Sequence, residues 1–248
     1  MIELDPLEYS QAMIKPSQPL RKNSTLVKVA PVTSGVSRWL KPMLYFLGRR
    51  AILPFYFRRL QITGQENIPK TGPVILAPTH RSRWDGLLIG YAAGKPVSGR
   101  DLRFMVTVDE CQGLQGWLIR CMGGFPVDAN NPRSSIRHSV EILGNGETLV
   151  IFPEGGIFRD SQIHPFKPGM ARIALQVESS QSGIGMKILP ISIRYSHFVP
   201  HWGCDATIVI GEPLEVAKYT ANSAKKGAQQ LTDELQIAMR NLEQEGSC

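Results

Sequence analysis

Apolar positions along this chain follow two different periods. Nearly uninterrupted runs fall at residues 74–77, 103–108, 148–152, 186–193 and 206–210. Their length and β-branched content are those of strands covered on both faces. Between the runs, apolar residues recur every three or four positions, which predicts helices near 86–93, 110–121, 134–143, 170–177 and 224–242. The third is the clearest. Asn131-Pro132 can start it, Ile136, Val140 and Leu143 form a core-facing stripe, and Gly144 can end it. Strands alternating with helices predict an α/β fold: one domain, with a mixed, largely parallel sheet flanked by helices. There is no internal repeat and no linker that would divide it.

The N-terminal quarter reads differently. Residues 1–34 form a polar arm containing Pro and Ser, expected to be loosely held. Residues 35–60 alternate Trp39-Leu, Met43-Leu-Tyr-Phe-Leu47 and Ala51-Ile-Leu-Pro-Phe-Tyr-Phe57 with Arg38, Lys41, Arg49-Arg50 and Arg58-Arg59. Neither apolar run approaches the roughly 20 residues that span a bilayer, and Arg49-Arg50 would sit mid-span. Pro54 would interrupt a continuous helix. Two short basic amphipathic helices lying in the headgroup region satisfy the pattern. The competing arrangement packs the apolar faces on the rest of the chain and leaves the arginines in water. Residues 61–248 are then the α/β domain, where any chemistry would sit.

Charge supports this division. The formal net charge is +7, yet residues 9–65 hold ten Lys or Arg and no acid, while residues 66–248 hold eighteen of each sign. A basic block of this kind suits nucleic acid or an anionic membrane. Its interleaved aromatics favour the membrane surface, with no nucleic acid as partner. The first 30 residues lack the apolar core and cleavage site of a secretory signal. Cys111, Cys121, Cys204 and Cys248 are scattered without a Cys-x-x-Cys pair, which suits a reducing compartment and argues against structural zinc. Location at the cytoplasmic face of a membrane, as a peripheral protein, is the expectation.

Candidate chemistry sits where two of the strand runs end. The first continues into His80-Arg-Ser-Arg-Trp-Asp85. Positions i and i+5 are rotated apart by about 140° on a helix, so the two side chains meet only if His80 lies in the loop and Asp85 in the first turn of the next helix. The imidazole would then present one nitrogen outward and give the other to the carboxylate, a general base with an orienter. A structural histidine followed by an acid at a helix N-terminus fits the same spacing. The second run continues into Phe152-Pro-Glu-Gly-Gly156, which places Glu154 beside Gly155 and Gly156. Glycine amides can approach and stabilise an oxyanion or phosphate, and the same residues also suit an ordinary turn. There is no phosphate-loop motif, no dinucleotide fingerprint and no Gly-x-Ser-x-Gly elbow. His197 and His201 have the spacing of a metal pair, but Pro200 between them places them in a loop.

Taken together, these residues resemble the glycerolipid acyltransferases, the bacterial 1-acylglycerol-3-phosphate acyltransferases and their relatives. The resemblance rests on four ordered blocks. They are His80 to Asp85, Gly123-Gly-Phe-Pro-Val-Asp128, Phe152 to Gly155, and Ile188-Leu-Pro-Ile-Ser-Ile193 with Pro190 at its centre. Phe166-Lys-Pro-Gly-Met-Ala-Arg172 also looks like a stretch usual in that family. The resemblance implies transfer of a fatty acyl group from acyl-CoA or acyl-carrier protein, a cosubstrate rather than a cofactor, to a lysophospholipid hydroxyl. The implied acceptor is 1-acyl-sn-glycerol-3-phosphate, giving phosphatidic acid. It implies direct attack with His80 as base and Asp85 as its orienter, and backbone N–H groups around Gly155 for the oxyanion. Glu154 would orient the acceptor or organise basic residues, and the block around Pro190 would wall an acyl groove.

Two departures concern the acceptor's phosphate. Ala129 stands where the second block usually ends in a basic residue, and Gly156-Ile-Phe158 replaces the usual Thr-Arg-Ser. Arg83, Arg133, Arg159, Lys167 and Arg172 are the possible substitutes. Another lysolipid or alcohol acceptor, or a non-catalytic lipid-binding protein of the same fold, are the alternative readings.

Overall fold

The computed structural model describes residues 40–127, 132–181 and 183–245. The arm at 1–34, Trp39 and Ala129 lie outside them. Helix α1 (Leu40–Leu47) runs through a π-helical turn at Gly48–Ile52 into α2 (Leu53–Tyr56). There follow β1 (Arg59–Thr63), β2 (Val74–Pro78), α3 (Asp85–Ala93), the single turn α4 (Lys95–Ser98) and β3 (Leu102–Thr107). Next come α5 (Gly113–Cys121), β4 (Gly124–Val127), α6 (Arg133–Gly144), β5 (Thr148–Val150) and α7 (Gly169–Ser180). The chain closes with β6 (Lys187–Tyr195), β7 (Asp205–Ile210), β8 (Leu214–Glu215) and α8 (Ala224–Glu245).

One eight-stranded sheet has the order β1-β7-β6-β2-β5-β3-β4, with β8 beside the start of β6. Along that order every neighbouring pair is parallel except β6 with β7. The five expected strands are all present, with β5 shorter than its apolar run: Ile151 makes its last bond, donating to the Leu76 carbonyl at 3.0 Å, and Phe152 leaves the ladder. The predicted helix near 110–121 begins instead as a 3-10 turn at Val108–Cys111, and α5 starts at Gly113. Strands β1, β4 and the two-residue β8 are additions. Strands β1 and β4 form the sheet's edges, where a strand can be short, and β4 carries Pro126 at a place that needs no second ladder.

Alternate residues of the central strands feed two cores. Ile75, Leu149 and Ile188 pack with the apolar stripes of α6, α7 and α8. Leu76, Val150 and Leu189 pack on the other face with Leu53, Phe57, Leu88 and Ile89. Each such buried aliphatic or aromatic side chain contributes about 1.5–3 kcal/mol. The result is three layers, helix–sheet–helix, with the C-terminal ends of β2, β5 and β6 along one edge.

Helix α1 inverts the usual amphipathic order. Its one buried residue is Lys41, 2% exposed, whose ammonium donates to the Leu102 carbonyl at 3.2 Å and meets Asp101 at 3.2 Å. Burial lowers the Lys41 pKa, and Asp101 opposes that shift. Met43, Phe46 and Leu47 face outward, with Phe46 68% exposed. Leu53 and Phe57 are packed in the core and Tyr45 of α1 lies against Gly90 and Gly94, so the outward apolar surface of α1 is that of Met43, Phe46 and Leu47. Among the described residues, no helix is long and apolar enough to cross a membrane.

Candidate active site

The edge at the C-terminal ends of β2, β5 and β6 is built from two loops and a strand end. Strand β2 is apolar and fully buried to Pro78. Thr79 then extends the ladder with its side chain: its Oγ1 donates to the Ile193 carbonyl at 3.2 Å and accepts the Ile193 N–H at 2.8 Å. The chain next turns through His80–Trp84 before α3 begins at Asp85. Asp85 closes that turn. Its Oδ2 accepts the amides of Arg81 at 2.6 Å and Ser82 at 2.8 Å, and His80 Nδ1 lies 2.9 Å from the same oxygen. Amides only donate, so Oδ2 is an acceptor and Nδ1 carries the imidazole proton. The tautomer follows: Nε2 holds the free lone pair.

Tyr195, at the end of β6, completes the carboxylate's shell by donating to Oδ1 at 2.5 Å. Asp85 is fully buried, so this arrangement gives a charge removed from water four hydrogen-bond partners. Burial, then the neighbouring Asp85 charge, pushes the Tyr195 hydroxyl well above the usual phenol range, so it remains a donor. The residue lies 110 positions from Asp85 and the sequence motifs do not reveal it.

Glu154 does for the His80 backbone what Asp85 does for the ring. Its Oε2 accepts the His80 N–H at 3.0 Å, and its Oε1 accepts the His164 N–H at 3.1 Å. Arg81 Nη1 reaches both oxygens, at 3.0 and 2.9 Å, and its Nη2 donates to the Gln162 carbonyl at 2.9 Å. The pair is buried, with side-chain exposures of 6% for Arg81 and 0% for Glu154. The His80 carbonyl accepts the Phe158 N–H at 2.9 Å, and Phe152 stacks on the imidazole with centroids 4.0 Å apart. Main-chain N, main-chain O, Nδ1 and one ring face of His80 are thus all engaged. What remains is Nε2, on a residue whose side chain keeps 20% of its surface in solvent.

The other expected site residues are placed less uniformly. Glu154 faces inward onto Arg81, the arrangement of a carboxylate that organises a basic residue. Gly155 sits at φ +73° and its N–H closes the turn onto the Phe152 carbonyl at 3.1 Å, so that amide is spent. The amides of Gly156 and Ile157 have no partner among the described residues. Pro190 is buried within β6 beside Gly211 and Leu242, on the α8 side of the sheet. Arg83 is exposed and paired with Glu110 at 2.7 Å, and Arg133 is exposed at the start of α6. Arg159 lines a cleft of about 90 Å³ with Arg81, Arg194, Tyr195, His197 and Glu243. Lys167 lies over the turn, since a Cβ added at Gly155 would fall 2.5 Å from its Nζ. His197 and His201 are exposed loop residues with ring centroids 4.4 Å apart.

Residues 59–194, more than half of the chain, match the Acyltransferase family model. A chloroplastic 1-acyl-sn-glycerol-3-phosphate acyltransferase of Brassica napus is 27% identical over 180 residues, which cover 68% of this chain and 48% of that protein. The chain therefore spans about half the length of that relative. A 1-acyl-sn-glycerol-3-phosphate acyltransferase of Bacillus subtilis is 25% identical over 192 residues, covering 74% of this chain and 88% of that one. The crystal structure of the 1-acyl-sn-glycerophosphate acyltransferase PlsC from Thermotoga maritima shares the fold, with a TM-score of 0.63 at 23% identity over 84% of this chain and 80% of that chain.

Proposed function

The chain belongs to the Acyltransferase family, and from that premise we propose that it moves a fatty acyl group from an acyl thioester to the hydroxyl of a lysophospholipid. The acceptor most in keeping with the relatives is 1-acyl-sn-glycerol-3-phosphate, and the product is phosphatidic acid. The observation that carries the reading is the single free nitrogen of His80, on an imidazole whose tautomer Asp85 fixes. A histidine held in this way is a general base for direct attack, and Ser82 in the same turn is buried with its Oγ accepting the Trp84 N–H.

In this mechanism His80 Nε2 takes the acceptor hydroxyl proton as the oxygen attacks the thioester carbonyl. Asp85 stabilises the imidazolium that forms. The amides of Gly156 and Ile157 are the donors proposed for the tetrahedral oxyanion, in place of the Gly155 amide. Collapse breaks the C–S bond, and the thiolate leaves with the proton from His80. Acyl-CoA or acyl-carrier protein is the cosubstrate. Arg159 and Lys167 are the cations proposed for the acceptor's phosphate, because both flank the turn that carries Gly155 while Arg83 is already paired. Work at a membrane surface is supported by the outward apolar face of α1 and by the absence of any acid between residues 9 and 65.

The test supplies purified protein with anionic vesicles, acyl-CoA or acyl-carrier protein, and a panel of lysolipids and glycerol derivatives. Products are read by mass spectrometry beside the His80→Ala variant. His80-dependent phosphatidic acid from lysophosphatidate is the expected result. Product from a different acceptor alone would keep the mechanism and replace the substrate. Absence of His80-dependent product with every donor–acceptor pair would refute the enzyme reading.

A further inference from the structure

The loop joining β6 to β7, residues 196–204, carries Phe198, Val199 and Trp202, of which Phe198 and Trp202 are each 68% exposed. Parallel pairing of β6 with β2 puts this loop on the same sheet edge as His80. The start of β1 reaches that edge as well, since β1 pairs in register with β7, which runs antiparallel to β6. Helix α2 therefore ends beside the loop, and the two are joined. Phe55 and Trp202 stack with centroids 5.7 Å apart, and the Trp202 indole donates to the Phe55 carbonyl at 2.7 Å. The Gly203 N–H donates to the Tyr56 carbonyl at 2.7 Å, and the Tyr56 hydroxyl donates to the Pro200 carbonyl at 3.1 Å.

A single exposed aromatic needs no explanation, whereas a localised set of them does. Among the described residues outside α1, α2 and the turn between them, the other large exposed apolar side chains are Leu87 on α3, Val108 after β3, Leu114, Trp117 and Leu118 on α5, Ile157 after β5 and Ile237 on α8. Of all these segments the β6–β7 loop is the one whose exposed ring, Trp202, is joined directly to α2. The charges beside the loop select the occupant. Residues 196–204 contain no acid, and the first one after them, Asp205, is already bonded to Arg58 at 2.6 Å. Beyond that pair, Arg49, Arg50 and Arg59 flank the apolar surface. Self-pairing about a two-fold axis would oppose this basic block to its own image, which disfavours a second copy of the chain. An anionic bilayer offers both the apolar boundary and the countercharge, and indole and phenyl rings are suited to its interface.

We propose that the β6–β7 loop is a second membrane-docking element, which with α1 and α2 seats the catalytic edge on an anionic bilayer. The inference deepens the membrane-surface reading above by naming the surface and its orientation. Tyr195, the last residue of β6, holds Asp85 and leads directly into this loop. Docking thus places the open side of His80 at the depth where a lysolipid hydroxyl lies, and the acceptor arrives from the lipid phase.

The experiment is co-sedimentation with phosphatidylcholine vesicles containing phosphatidylglycerol, using the Phe198→Asp/Val199→Asp double variant. Ile237→Asp on α8 is the exposed apolar control, and thermal melts check folding of each protein. The expected result is a loss of vesicle affinity of at least about tenfold for the double variant, with Ile237→Asp unchanged. His80→Ala is expected to bind as the unmodified protein does, so docking and chemistry are read apart. Equal affinities for the double variant and the unmodified protein would overturn the proposal, as would an equal loss for Ile237→Asp. A lipid-free dimer of the unmodified protein that the double variant dissociates would overturn it in favour of a protein interface.

Discussion

Replacing Tyr195 by Phe removes one oxygen and little else, because the ring keeps its stack on Phe57 at 5.9 Å between centroids. The lost bond is the 2.5 Å donation to Asp85 Oδ1, on a carboxylate with no exposed surface. A hydrogen bond to a charged group contributes about 1.5–3 kcal/mol, and the low end applies here because Oδ2 keeps its partners. Stability is therefore expected to fall by about 1.5 kcal/mol, which for a protein of this size lowers Tm by about 3–6 °C. Activity should respond in a second way. With Oδ1 bare, the carboxylate that orients the imidazole is held from one side only, so kcat should fall by about tenfold, the equivalent of about 1.4 kcal/mol, with KM for the acyl donor unchanged. The assay is thiol release from acyl-CoA, beside a melting curve. A lower Tm with an unchanged kcat would refute the coupling of Tyr195 to His80 and leave a purely structural hydrogen bond. The sign on the alkaline side is also determined. The folded-state hydroxyl pKa is raised, so its contribution is complete below the ordinary phenol value of about 10 and is lost as pH rises beyond it. The Phe variant should lack that alkaline loss.

Asp85→Asn keeps an acceptor for the two amides but removes the charge that stabilises the imidazolium, so kcat should fall by about 10²–10⁴ while vesicle binding holds. Glu154→Ala leaves Arg81 buried without its carboxylate, at a cost of about 3–5 kcal/mol read by denaturant unfolding; unchanged stability with a raised acceptor KM would instead place Glu154 against the substrate. Gly155→Ala puts a Cβ on a residue at φ +73°, which costs about 1–2 kcal/mol. The same Cβ displaces the flexible end of Lys167, so KM for a phosphorylated acceptor should rise more than for an alcohol, in steady-state kinetics with the two compared.

The sequence made the His80–Asp85 pair legible because both members lie on one short segment, where a strand end and a helix start leave a single way for positions 80 and 85 to meet. The second carboxylate was harder to read. Pro-Glu-Gly-Gly identifies a turn and an acid, but only packing decides whether that acid faces a ligand or a buried Arg81, and Arg81 looks like any loop arginine until Glu154 stands opposite. Tyr195 was invisible for a different reason: its partner is set by β2 and β6 lying side by side, which no local pattern encodes. The edge strands β1 and β4 were missed because edge positions are half-exposed and lack the unbroken apolar run that marks the centre of a parallel sheet. Helix α1 shows the limit of amphipathic periodicity most clearly. The period separates two faces but does not say which one meets the protein, and here the inward place is taken by Lys41, satisfied by Leu102 and Asp101. A chain that buries a lysine beneath this helix and leaves Phe46 outside forgoes apolar burial worth about 1.5–3 kcal/mol per large side chain. That loss is recovered only if the outer face meets something other than water. The same reasoning applies to Phe198 and Trp202 beside Tyr195, so in the proposed reading the two surfaces act as one, completed by lipid.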